Sequence, residues 1–117
     1  MTPEELEQAA RQTAQDFSFV RRVEILLRTP ATLTMRFHIT ERSFVQIYSN
    51  SRKALLSLAL VVDGTRVFGR DCEEGVWHCH PFEAPETHDF TSDEQKAVTV
   101  RGFLAEVEGM LKRLQII

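Results

Sequence analysis

Apolar side chains recur at every second position through much of the first half of the chain: Val23, Ile25 and Leu27, then Leu33, Met35, Phe37 and Ile39, then Val45 and Ile47. A period of two sets them on one face of a strand and places Arg22, Glu24, Arg36, His38, Gln46 and Tyr48 on the other. Because a one-residue slip would turn one apolar set outward, the loops constrain the register. A three-residue loop at 29–31 pairs Leu27 with Leu33, Ile25 with Met35 and Val23 with Phe37. A second three-residue loop at 41–43 pairs Ile39 with Val45 and Phe37 with Ile47, whereas a two-residue loop would set Phe37 against Gln46. These registers put Arg22, His38 and Gln46 in one row of the opposite face and Glu24, Arg36 and Tyr48 in the next. Glu24 and Arg36 are then spaced for a cross-strand ion pair.

Residues 54–62 are apolar on both faces, as in a central strand covered on both sides. Asp63-Gly64 is a strong hairpin signal, and residues 65–70 return as the partner strand, with Leu60 against Val67, Ala59 against Phe68 and Ser57 against Arg70. A looser turn at 71–75 leads to a short last strand at 76–80, after which Pro81 and Pro85 end sheet pairing and force an extended loop through His88. Helical signals flank this β-rich stretch. Thr2, Pro3 and Glu5 form an N-terminal capping pattern ahead of Leu6, Ala9, Ala10, Thr13 and Phe17 at helical spacing. At the other end Ser92 and Gln95 form a capping box for a helix over 93–114, with Val100, Phe103, Leu104, Val107, Leu111 and Leu114 as its apolar stripe. Gly102 and Gly109 weaken that helix locally, so packing must hold it. The expected fold is α+β: an antiparallel β-meander of five or six strands with one N-terminal and one C-terminal helix packed against it, in a single domain over residues 1–117.

At 117 residues, 43% apolar and 26% charged, the chain is long enough to bury one core and too short for two. No apolar run approaches the roughly 18 residues of a membrane span, and the acidic start at residues 1–5 is unlike the basic opening of a secretory signal. A cytoplasmic protein with no membrane association is therefore expected. Cys72 and Cys79 are too few for a disulfide scaffold and too far apart in sequence for a zinc knuckle. The net charge of −3 argues against a protein that coats nucleic acid without sequence preference. The charge is nonetheless uneven. Arg21, Arg22, Arg28, Arg36, Arg42, Arg52 and Lys53 face only Glu24 and Glu41 within residues 21–53, while residues 71–95 carry acidic side chains and no Lys or Arg. That pattern suits a basic anion-binding face beside an acidic one, and it also suits ordinary solvated surface.

Three of the four histidines fall at 78, 80 and 88, in Trp77-His78-Cys79-His80-Pro81-Phe82-Glu83-Ala84-Pro85-Glu86-Thr87-His88. Histidine titrates nearest neutral pH and is the commonest metal ligand, so the cluster suggests proton transfer, metal binding or a polar contact surface. On a strand His78 and His80 share a face, with Trp77 and Cys79 on the other. They are acid and base candidates, with His88 and Asp71 in support and Arg70, Tyr48, Arg36 and His38 as groups that could hold a phosphate. A metal would need His88 or Asp71 as a third ligand. The His-x-His run differs from the cupin pattern, because Glu83 comes too early and the second cupin motif is missing. The same histidines could equally brace a loop through hydrogen bonds to backbone while Trp77 and Phe82 pack into the core. No motif implies a cofactor.

The runs Phe44-Val45-Gln46-Ile47-Tyr48-Ser49-Asn50, Val67-Phe68-Gly69-Arg70-Asp71 and Gly75-Val76-Trp77-His78-Cys79-His80-Pro81-Phe82, with Pro85 and His88, resemble small prokaryotic TumE-like proteins of toxin–antitoxin modules. The likeness spans roughly residues 20–90, and Trp-His-x-His-Pro-Phe is its most specific part. Better-known members carry an Asn after the Asp and a His-His pair before the proline, where this chain has Cys72 and His78-Cys79-His80. The resemblance implies a cytoplasmic prokaryotic protein with an antitoxin partner, and it establishes no catalytic residue. The expectation is an RNA-acting toxin-type protein using the histidine cluster. The alternative is a non-enzymatic module that binds a partner protein, a second copy of itself as a homodimer, or a divalent metal.

Overall fold

The structure, a computed structural model, describes residues 2–80 and 99–117, and of His80 the backbone alone. Helix α1 (Pro3–Ala14) leads into strands β1 (Arg22–Arg28), β2 (Thr32–Thr40), β3 (Ser43–Asn50), β4 (Leu55–Val62), β5 (Thr65–Glu73) and β6 (Val76–His80), and helix α2 (Val100–Arg113) follows. The strands form one six-stranded sheet in chain order, each antiparallel to the next, so the architecture is the α+β meander with two flanking helices. Thr2 starts α1 as its composition demands: its hydroxyl accepts from the Glu5 amide at 3.1 Å, and the Glu5 carboxylate accepts from the Thr2 amide at 2.9 Å.

Both helices lie on the same face of the sheet. Leu6, Ala10 and Ala14 of α1 and Phe103, Leu104, Val107 and Leu111 of α2 close over Leu33, Met35, Phe37, Ile39, Val45, Ile47, Leu58, Leu60 and Phe68 in one continuous core. The other face carries Arg36, His38, Phe44, Gln46, Tyr48 and Ser57, and no described helix packs on it. This second face positions the candidate site.

Three irregularities correct the registers expected from alternation alone. Val23 pairs with Phe37 and Ile25 with Met35, but the ladder then shifts, so that Leu27 meets Thr34 and not Leu33. Leu26 and Leu27 are consequently exposed on the edge strand, at 44% and 49%. Between β2 and β3 the turn is a two-residue one, with Thr40 opposite Ser43, and a shift between His38 and Thr40 follows it. Phe37 therefore pairs with Val45 and Met35 with Ile47, not Phe37 with Ile47. A two-residue turn alone would have set Phe37 against Gln46. The extra residue restores apolar opposite apolar, which is what a bulge achieves when turn geometry and burial disagree.

The third shift matters most. Asp63 and Gly64 turn with positive φ of 52° and 77°, as the hairpin signal requires, and Val61 pairs with Arg66. Then the ladder slips by one, so Leu60 meets Phe68 and Ser57 meets Asp71, where simple alternation puts Val67 and Arg70. Strand β5 also runs on to Glu73, and the expected loose turn is a tight one at Glu74-Gly75, both at positive φ.

The C-terminal helix starts later than its periodicity suggests. Thr99 is extended (φ −86°, ψ 165°), and its hydroxyl accepts from the Gly102 amide at 3.0 Å, so it is the N-cap of α2 and no helix runs through it. The expected Ser92–Gln95 capping box lies outside the described residues. No helix among the described residues is long and apolar enough to cross a membrane.

Candidate active site on the outer face of the sheet

The shift in the β4–β5 ladder aligns four polar side chains in one row across four strands: Tyr48 opposite Ser57, Ser57 opposite Asp71, and Asp71 opposite His78. Asp71 is the centre. Its Oδ1 accepts from Ser57 Oγ at 2.7 Å and from Arg66 Nη2 at 2.9 Å, and its Oδ2 lies 3.5 Å from His78 Nε2. Both facing side chains are largely withdrawn from water, Asp71 at 14% and His78 at 10% exposure. Two donors on one oxygen fix the carboxylate, and its other oxygen faces the imidazole. A carboxylate held beside an imidazole orients the ring and stabilises the imidazolium formed when the ring takes a proton.

Arg66 reaches Asp71 because of the slip and because of Gly69. On a regular strand Arg66 and Arg70, four apart, would share a face; the extra residue sends them to opposite sides. The Arg66 side chain then runs along β5 over Gly69, where a Cβ would stand 2.0 Å from Nη2 and 2.4 Å from Nε. Any other residue at 69 would displace the guanidinium.

Arg70, expected beside Asp71 to hold an anion, lies on the helix side. It is 4% exposed and forks onto Glu106 of α2, Nε to Oε1 at 2.8 Å and Nη2 to Oε2 at 2.6 Å. This bidentate pair fastens β5 to α2. Arg66 is thus the guanidinium next to Asp71. Cys72 and Cys79 are free thiols, half-buried and buried, paired in the ladder with Trp77 and Arg70.

Of the other expected site residues, His80 pairs with Gly69 in the ladder, its side chain being outside the described set, as is the whole of His88. Tyr48 stands in the Asp71 row and accepts from Asn50 Nδ2 at 3.4 Å. Arg36 and His38 share the face opposite α1 and α2 but sit on β2, four strands from β6, or about 19 Å at the usual strand spacing. The structure does not bring His38 to His78. The expected Glu24–Arg36 ion pair is also replaced: the two are ladder partners, but Arg36 Nε donates to Gln46 Oε1 at 2.9 Å while Glu24 Oε1 meets His38 Nε2 at 2.7 Å. Arg36 lays its guanidinium 4.3 Å over the Phe44 ring, and the His38 ring is 6.0 Å from the same ring. Ser57 and Gly69 were not singled out by sequence reasoning. A glycine inside a strand was the available signal for a close approach.

The hydrogen bond from His38, helped by the charges of Arg22, His38 and Arg36, holds the Glu24 carboxyl below its ordinary value against a smaller opposing effect of burial. A depressed carboxyl stabilises the fold above its unfolded pKa and loses that contribution as pH falls through the folded one. His38→Ala is therefore expected to raise the Glu24 titration midpoint toward 4.5, read by carbon NMR of the carboxyl. An unchanged midpoint would mean that the bond does not hold the carboxylate.

Among the described residues no three His, Cys, Asp or Glu side chains converge as a metal site. Comparison with family models, curated proteins and solved structures finds no match to this chain.

Proposed function

We propose that this protein cleaves single-stranded RNA, with His78 and Asp71 managing the proton and the sheet face opposite α1 and α2 carrying the strand. The observation that carries the reading is the Asp71 constellation: a carboxylate fixed by Ser57 and Arg66 that presents its second oxygen to His78. RNA brings its own nucleophile, the ribose 2′-hydroxyl. Neutral His78 takes the proton from that hydroxyl as the oxygen attacks phosphorus, and the imidazolium beside Asp71 returns it to the departing 5′-oxygen. The products are a 2′,3′-cyclic phosphate and a free 5′-hydroxyl, and no redox partner is needed.

The remainder of the face fits a single strand. Arg36 stacked on Phe44 offers a flat cationic surface to a base, with Tyr48 and His38 nearby. Exposed Arg21 and Arg22 lie at the β1 edge for phosphates. Within this reading the protein is a TumE-like toxin of the cytoplasm, and an antitoxin would neutralise it by covering this face.

The test is incubation of purified protein with a short single-stranded RNA and its DNA counterpart in the presence of a chelator. The RNA is expected to be cut to fragments ending in cyclic phosphate, with the DNA intact because it lacks the nucleophile. RNA left whole at enzyme concentrations comparable to substrate overturns the proposal.

A further inference from the structure

We infer that Arg66 is a binding site for a tetrahedral oxyanion, the phosphate group of a ligand lying against Asp71 and His78. An arginine on a sheet face ordinarily extends its head into water. Here the slip after Arg66, the missing side chain at Gly69 and the Asp71 carboxylate together hold the guanidinium flat against the strand. Guanidinium carries five N–H donors. Among the described residues Arg66 spends one of them, from Nη2 to Asp71, and its Nε is buried with no acceptor at all.

Neutralising Asp71 does not explain this arrangement. A single N–H suffices for that contact, and Ser57 already donates to the same oxygen. With Nε buried, the accessible side of the fork is its Nη pair; 31% exposed and fixed in orientation, this planar head matches two oxygens of one phosphate, which a lysine ammonium would meet only as a point charge. The inference rests on the same site as the proposed RNA cleavage, and names the group that would grip the scissile phosphate there.

The experiment uses inorganic phosphate and no RNA, so the two readings can fail separately. Phosphate is titrated into nitrogen-labelled full-length protein, following the backbone amides of Gly69 and Asp71, with chloride at matched ionic strength as the control. Saturable shifts at both amides with phosphate and not with chloride are expected. Arg66→Lys, which keeps the charge and loses the fork, is expected to weaken binding at least tenfold, as is Gly69→Ala, whose methyl group displaces the guanidinium. Circular dichroism establishes that each variant is folded, and if Gly69→Ala is not, Arg66→Lys decides. Shifts reproduced by chloride, or phosphate binding equally strong in Arg66→Lys, overturn the inference. RNA cleavage by a protein that binds no phosphate would overturn the anion site alone, and phosphate binding without cleavage would overturn the proton-transfer reading alone.

Discussion

Substitution of His78 by alanine is expected to lower RNA cleavage by about 10²- to 10⁴-fold, the usual worth of a positioned proton-transfer group. The size follows from its placement: the ring sits 3.5 Å from a carboxylate oxygen whose partner oxygen is pinned by Ser57 and Arg66. Because His78 is buried, its loss also risks stability, and a thermal melt must accompany the assay. Asp71→Asn separates the two effects. It preserves shape and the Ser57 contact, removes the charge beside the ring, and is expected to slow cleavage by less than His78→Ala does. An activity unchanged in both folded variants would mean that cleavage does not pass through this pair, and would trace any nuclease activity to a contaminant.

The faces of the sheet were legible in the sequence because burial acts on every second side chain and leaves a repeating record. Leu33, Met35, Phe37, Ile39, Val45 and Ile47 all line the core as their spacing implies. The slips were not legible. A bulge is one residue of local slack, and whether it occurs depends on competition between turn geometry and packing across two strands, which no single strand records. One such residue decided the site. It moved Asp71 opposite Ser57 and sent Arg70 under α2 while Arg66, ahead of the slip, stayed on the outer face, so the guanidinium assigned from sequence belonged to the right strand and the wrong side. His78 and Asp71 were singled out for their residue types, with Asp71 placed in a turn at 71–75; the structure instead carries β5 through Asp71 and makes the two ladder partners. The start of α2 illustrates the same limit: periodicity alone does not mark Thr99, whose hydroxyl makes it the cap, and the expected Ser92 cap lies outside the described residues.

Phe103→Ala is expected to cost about 3–5 kcal/mol of stability, the range for a fully buried aromatic removed from a core. Phe103 has no exposure and stacks on Phe68 with centroids 5.5 Å apart and planes at 12°, joining α2 to β5. Such a pair contributes about 0.5–1.5 kcal/mol beyond its buried area. A domain of this size is stable by about 5–15 kcal/mol, so the variant should lose about a fifth or more of its margin and unfold at a markedly lower denaturant midpoint. Phe103→Leu, which refills most of the volume, should cost well under half as much. Equilibrium urea unfolding gives both values, and a midpoint close to wild type for Phe103→Ala would mean that α2 is not an integral part of the core. The same variant separates scaffold from site. Phe103 lies beneath the sheet and Asp71, Arg66 and His78 above it, so phosphate binding and RNA cleavage per folded molecule should match the wild type at low temperature, where the variant is still native. A proportionate loss of activity would instead mean that packing on the helix side reaches through β5 to set the Asp71 geometry, and the route would be Phe68 and Arg70, which contact Phe103 and Glu106 of α2.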